Sequence, residues 1–256
     1  MCLLTIAWGT HPDYRLVFAG NRDEFHDRPA APAEWWSDAP AVLGGRDLRA
    51  GGSWLGISRS GRIAVVTNQP GLEPVGNARA SRGALVTDFL TSAVPVDAYA
   101  AALAREAAEY AGFGLVIGDL DQMRYVAHED QPGTVVCRAL EPGCFGLSNA
   151  SYGTDWPKIA YLKSGIAELL EHDRVSEVAV LELLETRRPQ SPGPFADPLT
   201  KMQTTPFVLG EQYGTRAATI IIVDRLGHCR FLERRYDAAG RLSGESTESF
   251  TISPVG

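Results

Sequence analysis

Cys2 is the residue with the most chemistry within reach. Removal of the initiator methionine is permitted when a small residue follows, and it would leave a thiol and a free α-amine on one residue. An α-amine with a reference pKa of about 7.7–8.0 is partly neutral at pH 7. It can take the thiol proton, directly or through a water, and the sulfur can then attack an acyl carbon. The competing reading is that Cys2 merely begins a buried strand with Met1 retained, and on position alone that is the commoner case. Four further groups could serve such a nucleophile. Gly20-Asn21-Arg22-Asp23-Glu24-Phe25 reads as a loop at a strand end that presents an arginine and carboxylates, or as a solvated, salt-bridged turn. Asn68 follows a strand and could donate to an oxyanion or simply cap a turn, and Ser148-Asn149 repeats the pattern. Arg216, ahead of the last hairpin, could steady a substrate carboxylate or an amine network, or lie on the surface. Their shared placement at strand ends favours function.

The elements that must position these residues are short strands and helices. Leu3–Trp8 and Arg15–Ala19 read as a hairpin, followed by a polar loop carrying Pro29, Pro32 and Pro40. Trp54–Ser58 and Arg62–Thr67 form a second hairpin. Ser81–Leu90 and Asp97–Tyr110 read as helices, the latter capped by Asp97 and stopped at Gly112. Strands are expected near Phe113–Ile117, Met123–Ala127 and Thr134–Ala139. Helices follow over Trp156–Leu170 and Val175–Thr186, the second with an apolar line at Val178, Leu181 and Leu184. Arg187–Gly214 is Pro-rich and long enough to be functional or mobile. Ala217–Val223 and His228–Arg234 close the chain as a hairpin. Strands, helices, then strands again mean a layered α+β protein. No shift in composition marks a boundary, so residues 1–256 are expected to form one domain.

Composition narrows the functional classes. A net charge of -7 argues against a general nucleic-acid surface, which needs a basic field. No apolar run approaches the roughly 20 residues needed to cross a bilayer, and the apolar start lacks a basic flank. No integral membrane segment and a cytoplasmic location are therefore expected. The cysteines at 2, 137, 144 and 229 make no CxxC pair, and Cys137 and Cys229 lie in apolar runs that should bury them. The histidines at 11, 26, 128, 172 and 228 lack metal-ligand spacing, so neither a metal nor another cofactor is expected.

Taken in order and spacing, Cys2, Asn21-Arg22-Asp23-Glu24-Phe25 with Arg28-Pro29, Gly51-Gly52-Ser53-Trp54-Leu55-Gly56, Thr67-Asn68, Gly146-Leu147-Ser148-Asn149 and Gly214-Thr215-Arg216 resemble the Transport and Golgi organisation (NRDE) family. That family is similar in turn to N-terminal-nucleophile hydrolases such as choloylglycine hydrolases and penicillin V acylases. The resemblance implies a four-layer αββα sandwich of two antiparallel sheets. It places Cys2 on the nucleophile, Asp23 on the aspartate that holds the N-terminal amine, Asn68 and Asn149 on the asparagines serving oxyanion and substrate, and Arg216 on a late arginine. Asn21, Arg22, Glu24 and Trp54 are the accompanying substrate-binding candidates. There is one departure: those hydrolases carry an arginine three residues before the aspartate, where this chain has Gly20. Either Arg22 supplies the guanidinium or that function is absent. The expectation is a cysteine amidohydrolase acting on non-peptide C–N bonds of a small acylated molecule. The alternative is a non-catalytic binding or trafficking protein for haem or an acyl lipid, for which His26 is the only histidine near the proposed site.

Overall fold

The computed structural model describes residues 2–76, 81–191 and 198–253. Met1, and residues 192–197 of the Pro-rich stretch, lie outside the described residues. Two antiparallel sheets carry the fold, and the chain divides into two compact units that each take segments distant in sequence.

Unit 1 comprises residues 1–27, 142–148 and 153–249. Its strands are β1 (Cys2–Trp8), β2 (Tyr14–Phe25), β10 (Gly143–Leu147), β11 (Tyr213–Asp224), β12 (His228–Tyr236) and β13 (Leu242–Thr251), in the order β10-β1-β2-β11-β12-β13. Period-two alternation sends Leu3, Ala7, Val17, Ala19, Ala218, Ile220 and Ile222 to one face of this sheet. There they meet Ile159, Leu162, Ile166 and Leu170 of α3 (Pro157–Glu171) and Val180, Leu181 and Leu184 of α4 (Glu177–Leu184). The apolar line expected through Val178 is corrected, since Val178 is exposed. Two successive steps of three drift by about 60° each around a helix, so Val180, and not Val178, shares the face of Leu184. A short α5 (Pro198–Thr204) follows.

Unit 2 comprises residues 28–141, 149–152 and 250–256. Its sheet runs β3 (Ala30–Trp36), β4 (Ala39–Asp47), β5 (Leu55–Ser58), β6 (Ile63–Asn68), β7 (Phe113–Gly118), β8 (Met123–His128) and β9 (Val135–Leu140) in sequence order. Leu85, Val86, Phe89 and Leu90 of α1 (Arg82–Thr91), with Ala100 and Leu103 of α2 (Val96–Ala104), cover Val66, Leu115, Ile117 and Val126.

Other expectations are corrected here. The polar loop after β2 is the β3–β4 hairpin, with Pro32 and Pro40 at positions where the strands can do without an amide donor. α2 ends at Ala104 and a separate 3-10 turn spans Ala107–Glu109. Pro95 takes the cap position, and the Asp97 carboxylate binds Arg124 Nε at 2.6 Å instead. Cys229 is buried as expected but Cys137 is exposed, because β9 is the outer strand of its sheet. Among the described residues no helix is long and apolar enough to cross a membrane.

Candidate functional site

Asn21, Arg22, Asp23 and Glu24 lie within strand β2, which runs on to Phe25, and not in a loop beyond it. A strand gives the four residues alternating directions. Asn21 is buried, and its amide nitrogen donates to the Leu184 carbonyl at 2.8 Å and the Pro206 carbonyl at 3.0 Å. It thereby holds the end of α4 and the approach to β11. On the opposite face Arg22 approaches Glu24, with 3.7 Å between Nη2 and Oε2.

Cys2 opens β1 directly opposite Arg22 in the antiparallel register. Asp23 is the next residue along β2. The sulfur-bearing residue is half-buried, and its carbonyl accepts a 2.5 Å hydrogen bond from the Ser148 hydroxyl. Asp23 is buried, and its Oδ1 accepts from the Thr215 hydroxyl at 2.7 Å. Thr215 in turn accepts from the Val208 amide at 2.9 Å, and the Tyr213 hydroxyl donates to the Asp23 carbonyl at 2.7 Å. Burial pushes the Asp23 carboxyl above its ordinary value, while the charge of Lys158, the Thr215 hydrogen bond and the charge of Arg22 pull the other way.

Lys158 is the residue that the sequence reading missed. It stands in the first turn of α3, fully buried, with no hydrogen-bond partner for its amine among the described residues. Burial holds the amine below its ordinary value, opposed by the charges of Asp23 and Cys2. A sequence signal existed: Lys158 falls on the line of Leu162, Ile166 and Leu170, spaced by four, so it had to point with them into the core.

Arg216 sits at a bulge, where the β2–β11 register slips between Thr215 and Ala217. Its Nη1 donates to the carbonyls of Phe25 and His26, at 3.0 Å each, and so ties down the chain leaving β2. His26 Nε2 lies 2.9 Å from the Gly210 carbonyl oxygen. Gly20 is crowded: a Cβ there would meet Phe18 Cζ at 2.9 Å and the Leu3 oxygen at 3.2 Å. No side chain is accommodated at that position without movement.

The remaining candidates belong to unit 2. Asn68 ends β6 half-buried, and its carbonyl accepts from Asn149 Nδ2 at 2.7 Å. The two asparagines are thus brought together, 81 residues apart in sequence. Trp54 precedes β5 with its indole over Gly45, where a Cβ would come within 2.4 Å of the ring. Its carbonyl accepts from the Val66 amide at 2.9 Å.

Comparison with known proteins agrees with this architecture. The crystal structure of the C2A mutant of conjugated bile acid hydrolase from Clostridium perfringens superposes with a TM-score of 0.54 at 10% identity, covering 99% of this chain and 98% of that one. At such identity the likeness speaks for the fold alone, which is α+β and N-terminal-nucleophile-hydrolase-like. The Transport and Golgi organization 2 homolog of Mus musculus is 35% identical over 261 residues, covering 91% of this chain and 92% of that protein. The Drosophila melanogaster Transport and Golgi organization protein 2 is 26% identical over 267 residues, with 91% of each covered. The sequence pattern of Transport and Golgi organisation 2 matches residues 1–238, and this chain belongs to that family.

Proposed function

We propose that the protein is an N-terminal cysteine amidohydrolase acting on a small acylated molecule. The observation that carries this reading is the register: β1 begins at Cys2, and one step beyond it along the paired strand lies the buried carboxylate of Asp23. With Met1 removed, the α-amine of Cys2 would stand one register step from a carboxylate fixed by Thr215.

In the proposed reaction the α-amine takes the thiol proton as sulfur bonds to the acyl carbon, and the carbonyl electron pair moves onto oxygen. The family resemblance assigns the oxyanion to Asn68 and the substrate to Asn149. The tetrahedral centre collapses, the C–N bond breaks, and the proton held on the α-amine passes to the leaving nitrogen. Water then attacks the thioester by the same route in reverse and releases the acid. Asp23 orients the amine throughout.

The test is turnover of a panel of N-acyl amides by the wild type and three variants. Cys2→Ala is expected to abolish release of the amine. Asn68→Ala is expected to slow it by about a hundredfold or more, the usual effect of losing an oxyanion donor. Cys229→Ala is expected to be silent, because burial pushes that thiol up to about 12. Turnover by Cys2→Ala at the wild-type rate would overturn the proposal.

A further inference from the structure

A lysine amine enclosed by protein without a hydrogen bond is one of the costlier groups a fold can carry. Among the described residues Lys158 meets that description, and two features of its place bear on the cost. It follows Pro157 in the first turn of α3, where unpaired backbone amides already make the helix end positive. The Trp156 ring has its centroid 5.8 Å from Nζ, at the outer limit of a cation–π contact, and so offsets little of it. An aliphatic residue would continue the apolar line of Leu162, Ile166 and Leu170 at lower cost. Leu3 of β1 and Ile159 of α3 share one core, which sets the first turn of α3 beneath the start of β1; there the charges of Asp23 and Cys2 act on the amine. α3 is held in this place by Gly146 of β10, where a Cβ would come within 2.5 Å of Ile159 Cγ2.

We propose that Lys158 is a positioning residue of the Cys2 site, its ammonium supplying the positive field that holds negative charge on the sulfur. This rests on the reading of Cys2 as the nucleophile. Lys158 takes no part in the proton transfer: the thiol proton goes to the α-amine of Cys2, and the sulfur's electron pair forms the bond to the acyl carbon. The ammonium lies too deep to touch a substrate. It acts through Cys2 directly and through Asp23, whose charge it balances. An opposite charge in a poorly solvated site acts far more strongly than one in water.

The test needs no substrate. The full chain is alkylated at pH 7 with iodoacetate, which is anionic, or iodoacetamide, which is neutral. The rate at Cys2 is read from the mass of its peptide. A positive field at the sulfur favours the anionic reagent, so the iodoacetate-to-iodoacetamide rate ratio reports the field and not packing. Lys158→Met is expected to lower that ratio by about threefold or more, with Lys158→Arg, which keeps the charge, restoring most of it. An unchanged ratio in a Lys158→Met protein with native circular dichroism overturns the proposal. Should that variant not fold, the wild type decides: its ratio must exceed that of a free peptide of residues 2–13, and equality overturns the proposal. A shifted ratio without amide turnover would leave the role of Lys158 standing and remove only the hydrolase reading. Turnover with an unchanged ratio would do the opposite.

Discussion

Four residues of the proposed site owe their environments to strand alternation: Asn21 and Asp23 leave β2 on one face, Arg22 and Glu24 on the other. Cys2 and the Asn-Arg-Asp-Glu run were legible from residue type and position, because a nucleophile and a carboxylate are recognisable before any fold is known. Lys158 was not, since a lysine in an amphipathic helix ordinarily covers its polar face, and only the four-residue line with Leu162 marks it as inward. Its burial has a consequence for stability. The folded chain holds this amine below its ordinary 10.5. Between the folded value and 10.5 the unfolded chain therefore binds more protons, and stability rises with pH. Lys158→Met removes that slope, and leaves Asp23 without the charge that draws its carboxyl down. Both effects make the stability difference, wild type minus variant, grow as pH rises toward 10.5. Urea unfolding at a series of pH values measures it, and a difference that shrinks would contradict the account.

The elements are held in place by contacts that single substitutions can break. Asn21 joins β2 to the carbonyls of Leu184 and Pro206. Asn21→Ala leaves both without this donor, and is expected to cost about 1–3 kcal/mol. Gly146→Ala drives a methyl into Ile159 at the foot of α3 and is expected to cost about 1–3 kcal/mol. It also displaces the turn that carries Lys158, so it should lower the alkylation ratio at Cys2, whereas Asn21→Ala should leave that ratio nearer the wild type. Chemical denaturation and the alkylation assay together separate the two. The second and the last hairpins, and the strands from 113 to 139, were legible because their apolar runs are bounded by clear turns. The β3–β4 hairpin was hidden by prolines, which lower strand propensity but are tolerated where no ladder donor is needed. The extension of β2 through its polar motif was hidden because Asn21, Arg22 and Asp23 are buried within the fold, which composition cannot reveal.

At the scale of the whole molecule, the fold class followed from the order of several motifs and not from any one element. The family pattern stops at residue 238, yet the chain beyond it is structured through Ile252. β13 borders β12, and Phe250 stacks edge-on to Trp35 at 5.0 Å while the Arg59 guanidinium lies 3.7 Å over Trp35. The Ser253 amide binds the Arg59 carbonyl at 2.8 Å, and Ile252 is buried. A chain ending at Arg241 loses this apolar burial, expected to cost about 2–4 kcal/mol and to lower Tm by about 5–10 °C. An unchanged melting temperature would show that the last strand stabilises nothing.

In the proposed reaction Cys2 supplies both thiol and amine, and the intact mass of the untagged, natively expressed protein decides whether it can. A mass beginning at Cys2 is expected, which places a free amine one register step from Asp23. A mass that retains Met1 would contradict it, because the nucleophile would then have no amine of its own to take its proton.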